Sequence, residues 1–133
     1  MPPRVEAWAW LGLFDFLCRH PRVPGARWLL VAAIRRAASP GVTRLPGGRH
    51  GRPRLLAAVI RRAVRRRCPA PSCLAQALAL QRLLEARGFA ARLKLGLVPS
   101  ARPPLGHAWV ECDGTPVGGS WRLTRRYISC ETS

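Results

Sequence analysis

Apolar and polar positions in the first half of the chain follow the spacing of helices. Residues 8–17 and 26–38 are two apolar helix candidates, which Pro24 and Gly25 separate. In residues 54–67 the apolar positions recur at three- and four-residue steps, and arginines fill the other face. Residues 39–53 are rich in glycine and proline and predict a loop. The first half therefore predicts three helices, with a loop before the third.

A different pattern begins at residue 73. Residues 73–88 predict a leucine- and alanine-rich helix, with Ser72 as its N-cap and Gly88 as its C-terminal stop. Residues 91–98 then alternate between apolar and polar positions, which is the period of a half-buried strand. The chain thus passes from helix to strand within its second half.

Two further strands follow. Residues 107–112 predict a strand, and Asp113 with Gly114 favours a hairpin turn. A short third strand near residues 115–120 would return beside it. The order of helices followed by strands predicts an α+β fold, in which a small antiparallel sheet packs on the helix of residues 73–88.

The length of 133 residues suits a single domain, and a hydrophobic content of 48% is too high for a disordered chain. We divide the chain into residues 1–53, with the N-terminal helices and the Gly/Pro-rich loop, and residues 54–133, with the α+β core. We expect the two parts to form one structural domain. No run reaches the roughly 18 apolar residues that a membrane-spanning helix needs.

The chain is strongly basic, with 23 Lys and Arg residues, 6 Asp and Glu residues and a net charge of +17. Such a surplus favours acidic partners, which include an acidic peptide, a nucleic acid and an anionic membrane surface. All but one of the cations are arginines, a bias that a GC-rich genome also produces. The charge alone is therefore a weak indicator of function.

The cysteines indicate a reduced protein without a metal site. Five are present, which is an odd number, and none forms a Cys-x-x-Cys pair or joins histidines at metal-ligand spacing. Glu6 and Asp15 interrupt the first apolar stretch, so no secretory signal is predicted. We therefore expect a cytoplasmic protein that binds no metal.

Cys73 is the first candidate for chemistry. With Ser72 as N-cap, it occupies the first helical position, where unpaired N–H groups and the positive end of the helix dipole stabilise a thiolate. Such a cysteine is a nucleophile when an imidazole lies within reach. The alternative is a small buried hydrophobic residue, because Cys73 shares a stripe with Ala77, Leu80 and Leu84.

His107 is the second candidate, because it is the one histidine on a predicted regular element in the second half. It shares a strand face with Trp109 and Glu111. His107 is either a structural histidine or the base that serves Cys73. Trp109 either lines a substrate groove beside His107 or is an aromatic residue of the core. A helix-capping cysteine followed by a strand histidine is a recurring arrangement in thiol enzymes.

Two stretches, "SCLAQALALQRLLEARGFAARLKLGLV" and "GHAWVECDGTPVG", carry a resemblance to a known family. They resemble the transglutaminase-like, papain-type cysteine peptidases of lasso peptide biosynthesis, the B2 or leader-peptidase proteins. The resemblance covers roughly residues 54–130. The N-terminal helices resemble those of the family in general composition alone, without a matched motif.

The resemblance implies a function for each candidate. Cys73 would attack the peptide bond at the leader–core junction of a precursor peptide, and His107 would act as base and then as acid. The core peptide would pass to a separate lasso cyclase, and a separate winged-helix protein would recognise the leader. Some members are reported to need ATP, but this chain has no phosphate-binding loop, and we assign it no cofactor.

The chain departs from the family at the third catalytic residue, an acid on the strand after the hairpin. If the turn has two residues, Cys112 faces Thr115 and Ser120 lies opposite His107, with Gly119 beside it. Glu111 is roughly 13 Å along the strand from His107. Gln76 also stands where the family often has a basic residue. These departures leave the level of activity open.

Three other functions remain open. The same fold can hold a leader peptide or a partner protein without catalysis, and Gly119 and Ser120 favour that alternative. The arginines of residues 61–67 suggest nucleic-acid binding, but no reading motif accompanies them, so we do not expect a nucleic-acid partner. Residues 8–17 could attach to a membrane surface, which would be compatible with peptidase activity.

Overall fold

The computed structural model describes residues 2–39, 52–98, 105–112, 114–118 and 128–130. It contains, in chain order, α1 (Pro3–Arg19), α2 (Ala26–Ala38), α3 (Arg52–Arg65), α4 (Cys73–Glu85), β1 (Ala91–Val98), β2 (Leu105–Cys112), β3 (Thr115–Val117) and β4 (Ile128–Cys130). The predicted α+β fold is confirmed.

The first helix extends beyond its predicted apolar segment at both ends. α1 begins at Pro3 because proline suits the first turn of a helix, where its missing N–H leaves no hydrogen bond unmade. α2 has the predicted bounds, and α3 begins two residues early, at Arg52. Most of the predicted Gly/Pro-rich loop, residues 40–51, lies outside the described residues. Among the described residues, no helix is long and apolar enough to cross a membrane.

Local hydrogen bonds define both ends of α4. At its start, the Ser72 hydroxyl accepts a hydrogen bond from the Ala75 N–H at 3.2 Å, which confirms the predicted N-cap. At its end, the Gly88 N–H donates to the Glu85 carbonyl and the Phe89 N–H donates to the Leu84 carbonyl. Gly88 has φ +82°, a left-handed conformation that glycine adopts without a steric penalty. The chain therefore turns sharply after α4 into β1.

The four strands form one antiparallel sheet in the order β3-β2-β1-β4. The predicted pairing of Cys112 with Thr115 is confirmed. The predicted turn residue Asp113 lies outside the described residues. β4 was not predicted, because residues 128–130 lie far from β1 in the sequence and show no alternating pattern of useful length.

One hydrophobic core joins the helices to one face of the sheet. It contains residues of all four helices and of β1, β2 and β3, and its fully buried large side chains are Leu11, Leu78, Leu83, Leu84, Leu93 and Val110. Burying a leucine side chain stabilises the fold by roughly 1.5–3 kcal/mol, so α4, which contributes three of these leucines, is the central element. A buried glutamine, Gln81, ties α4 to the sheet by donating to the Ala91 carbonyl at 3.2 Å.

Candidate active site

The structure places Cys73 at the surface. It is the first residue of α4, and its side chain is exposed. The alternative in which Cys73 belongs to the buried stripe with Ala77, Leu80 and Leu84 is therefore wrong, although those three residues are buried. Helix side chains lean towards the N-terminus of their helix, so at the first position the Cys73 side chain extends past the start of α4.

The segment that leads into Cys73 is held by one long-range contact, with Arg19, and one local contact, with Gln76. The Arg19 guanidinium, at the end of α1, donates to the Pro69 and Ala70 carbonyls at 3.0 and 3.1 Å and pairs with Asp15 at 2.7 Å. Gln76 donates from its side-chain amide to the Pro71 carbonyl at 2.8 Å. Sequence reasoning missed Arg19, because nothing local relates residue 19 to residues 69 and 70.

A second thiol lies beside this segment. Cys18 is half-buried, and burial raises the pKa of its thiol; a hydrogen bond with the Ser72 side chain lowers it less, while the charges of Asp15 and Cys73 raise it further. A raised pKa keeps Cys18 in the unreactive thiol form. Of these two neighbouring cysteines, Cys73 is therefore the one suited to act as a nucleophile.

His107 is the third residue of β2 and is half-buried. Burial lowers the pKa of its imidazole below the ordinary 6.5, because the charged form loses solvation. Its ring stacks on Trp109, with the ring centroids 5.8 Å apart and the planes inclined by 20°. His107 is therefore a neutral imidazole at neutral pH, which is the form that can accept a proton.

Trp109 is 7% exposed but lies outside the main hydrophobic core. Its indole N–H donates to the Glu111 carboxylate at 3.3 Å. Because Trp109 is buried, little of its ring is open to a substrate. Its stacking on His107 instead helps to hold the imidazole in one orientation. A substrate-binding role for Trp109 stays a prediction.

The order of α4, β1 and β2 brings His107 towards the Cys73 end of α4. The bond between Gln81 and Ala91 ties the C-terminal half of α4 to the start of β1, and His107 pairs with Gly96 in β1. From Gln81 to Cys73 the helix runs about 12 Å, and from Ala91 to Gly96 the strand runs about 16 Å. Because the turn after Gly88 reverses the chain, both paths lead to the same end of the molecule.

The side chains do not leave the sheet on the same face. Ala108 and Val110 belong to the core that includes α4, so His107 and Trp109 project from the opposite face of β2. A Cys73–His107 pair would thus form around the end of the sheet. Cys73 and His107 as a catalytic pair stay a prediction.

The position of a third catalytic residue is not described. The described pairs of β2 and β3 end at Val110 with Val117, and both Gly119 and Ser120 lie outside the described residues. Glu111 accepts the Trp109 indole hydrogen bond, which occupies the nearest carboxylate on the same face of β2. Among the described residues, no group of three or more His, Cys, Asp or Glu side chains could hold a metal ion.

Comparison with known proteins supplies the family. Neither the curated proteins nor the solved structures contain a match to the chain. A family model does match, that of the transglutaminase-like superfamily, and the match covers residues 14–132. It begins inside α1, so the likeness extends further towards the N-terminus than residue 54 and across the proposed division at residue 53, which stays a prediction. The chain belongs to the transglutaminase-like superfamily.

Proposed function

We propose that this protein is a cysteine peptidase that removes the leader from a ribosomally made precursor during lasso peptide maturation. The observation that carries the proposal is the exposed Cys73 thiol at the first position of α4, the helix that packs on the strand of His107. The superfamily includes cysteine peptidases, and the two sequence stretches that resemble the lasso leader peptidases surround these two residues.

The first half of the reaction forms a thioester. Neutral His107 takes the proton from the Cys73 thiol, and the thiolate attacks the carbonyl carbon at the leader–core junction. The first-turn N–H groups of α4 at Cys73 and Leu74 stabilise the oxyanion, since the Ser72 cap occupies the Ala75 N–H instead. The imidazolium of His107 then protonates the leaving amine, the core peptide departs, and the leader remains as a thioester on Cys73.

The second half of the reaction releases the leader. His107, now neutral again, takes a proton from a water molecule, and the resulting nucleophile attacks the thioester carbonyl. The Cys73 thiolate leaves and recovers the proton from His107, and the leader departs with a free carboxylate. No cofactor or metal takes part in either half.

The imidazole needs an orienting group, and Ser120 is the candidate from the sequence. Continuing the β2–β3 pairing outwards from Cys112 and Thr115 would set residue 120 opposite His107. A hydroxyl can accept a hydrogen bond from the ring, but it does not stabilise an imidazolium as a carboxylate does. We therefore expect slow turnover compared with a complete Cys-His-acid triad.

The partners follow from the same proposal. The substrate is the leader region of a precursor peptide, and a separate winged-helix protein presents it. The lasso cyclase would receive the core peptide in the cytoplasm. The net charge of +17 suits an acidic leader or an acidic partner.

The second candidate function is a non-catalytic module of the same fold that holds the leader peptide or the winged-helix protein. The specific feature that favours it is Gly119–Ser120 where the family has an acid. Replacing Cys73 distinguishes the two functions, because cleavage of the precursor requires its sulfur and binding of the leader does not.

The decisive experiment incubates the protein with the precursor and winged-helix proteins encoded beside it and follows the peptide masses. We expect wild-type protein to yield separate leader and core masses, and Cys73→Ala to yield neither. Cys68→Ala is the matched control, because Cys68 is also exposed and lies five residues before Cys73. Cleavage by Cys73→Ala at the wild-type rate would refute the peptidase, and binding without cleavage by wild-type protein would establish the module.

A further inference from the structure

The outer faces of α1 and α2 carry most of the exposed apolar surface of the described chain. Ten large hydrophobic side chains are exposed among the described residues, and eight of them lie between residues 5 and 31. We call six of these the N-terminal apolar surface: Val5, Leu13, Phe16, Trp28, Leu29 and Val31. Each is at least 45% exposed, and Trp28 reaches 72%. Val5, Leu13 and Phe16 share one face of α1 by their spacing, and Trp28 and Leu29 are adjacent on α2. Clustered exposed apolar side chains mark an interaction site, whereas single ones are ordinary.

The packing of the two helices explains why these side chains remain outside. α1 turns Ala7, Leu11, Phe14 and Leu17 into the core, and the exposed side chains on its opposite side are not covered by any of the described residues. The buried residues of α2 are the small Ala26, Ala37 and Ala38, and Leu30 and Ile34 pack against the core while only partly buried. Its bulkiest residue, Trp28, therefore lies on the side away from the core.

The charges around this surface have one sign. Residues 2–39 contain two carboxylates, Glu6 and Asp15, and both are held in ion pairs, with Arg87 at 3.0 Å and with Arg19 at 2.7 Å. Six arginines of the same segment are exposed, of which Arg19 and Arg36 are held in ion pairs with Asp15 and Glu85; the other four are at positions 4, 22, 27 and 35. Arginines thus lie among the apolar side chains, and the two carboxylates of this segment are already paired with other arginines.

We propose that the N-terminal apolar surface docks on an anionic membrane, with Trp28 and Leu29 entering the headgroup layer and the arginines binding lipid phosphates. Tryptophan and arginine occupy the same depth at a bilayer surface, and a helix face of apolar residues with a purely cationic border is typical of interfacial binding. Docking of this kind needs no shape complementarity. A second copy of the chain would bring the same charge of +17 against this surface, which opposes self-association.

The test measures binding of the purified full chain to vesicles by co-sedimentation. One set contains phosphatidylcholine alone, and the other contains about one third phosphatidylglycerol in addition, which supplies the anionic charge. We expect binding to the anionic set alone. The double variant Trp28→Ser, Leu29→Ser should lose at least about tenfold in vesicle affinity, because it removes the inserted apolar area. Leu97→Ser, which removes a similarly exposed leucine from β1, is the matched control and should bind like wild-type protein.

Each other outcome overturns the proposal. Equal binding by wild-type protein and the double variant would mean that the net charge alone attracts the chain to anionic lipid. Failure of wild-type protein to bind anionic vesicles would assign the surface to a protein, as would a wild-type dimer that becomes monomeric in the double variant. If the double variant does not fold, as judged by circular dichroism, Arg27→Glu with Arg35→Glu tests the same surface through its charges. It should lose more binding than Arg61→Glu with Arg65→Glu, which makes the same change of net charge at exposed positions of α3, and equal losses would overturn the proposal.

Discussion

At the scale of single residues, the site depends on the contrast between two thiols and on one buried imidazole. Cys73 is exposed where a helix begins, whereas Cys18 is half-buried with a raised pKa. The candidate residues could be named from the sequence because a capped helix start and an isolated strand histidine are local signals. The Cys18–Ser72 contact could not, since it joins residues that lie 54 positions apart.

The first prediction concerns thiol reactivity. A limiting amount of iodoacetamide at neutral pH should label Cys73 well before Cys18, because Cys73 is exposed and burial keeps Cys18 protonated. Peptide mapping by mass spectrometry gives the order. As the pH rises, labelling of Cys18 should increase late, since its pKa is raised. Equal rates at both positions at neutral pH would count against the assignment of Cys73 as nucleophile.

The second prediction concerns pH. The peptidase needs neutral His107, and its activity should fall as the pH falls through the pKa of the imidazole. Because burial lowers that pKa, the acid limb of kcat/KM should have its midpoint below 6.5. The ring signals of His107 in an NMR titration should give the same midpoint, with His107→Gln used for assignment. A midpoint above 6.5 would instead indicate a carboxylate beside the ring.

At the scale of elements, α4 shows how far local pattern reaches. Residues that are neighbours in the sequence determine the cap and the start of α4, and both were predicted. The same holds for the bounds of β1 and for the β2–β3 register. β4 is the opposite case, because its pairing with β1 joins residues 128–130 to residues 95–97. A three-residue strand is too short to show an alternating pattern of its own. Its position as a strand therefore depends on its pairing with the edge of β1.

The third prediction concerns the start of α4. Ser72→Ala removes the acceptor of the Ala75 N–H and should lower the free energy of unfolding by about 0.5–2 kcal/mol. Ser72→Asp should restore most of that loss, because aspartate caps a helix as well as serine does. Urea unfolding of the three proteins measures the difference. Equal destabilisation in both variants would show that the hydroxyl acts through some contact other than the cap.

At the scale of the whole molecule, charge and apolar surface are arranged unevenly. The chain carries a net charge of +17, and most of the exposed large apolar residues in the described part of the chain lie on α1 and α2. The charge acts over long range and accelerates encounters with acidic partners. The apolar surface acts on contact alone. The two features therefore affect different steps of an association.

The fourth prediction separates those steps for the precursor peptide. Raising NaCl from about 50 to 500 mM shortens the screening length from roughly 14 to 4 Å, so the association rate constant should fall severalfold. The dissociation rate constant should change much less. Surface plasmon resonance with the precursor and the winged-helix protein gives both constants. An association rate that does not respond to salt would remove the role assigned to the net charge.

The sequence by itself determined the α+β class, the bounds of α2 and β1, the capped start of α4 and the pairing of Cys112 with Thr115, because each depends on residues close together in the chain. The tertiary structure alone decided that Cys73 is exposed, that Arg19 holds the carbonyls of residues 69 and 70, and that apolar side chains on the outer side of α1 and α2 are left exposed by the other described residues. The physical reason is that helix and strand patterns record which residues prefer burial. Which of them are buried depends on the packing of elements that are distant in the sequence.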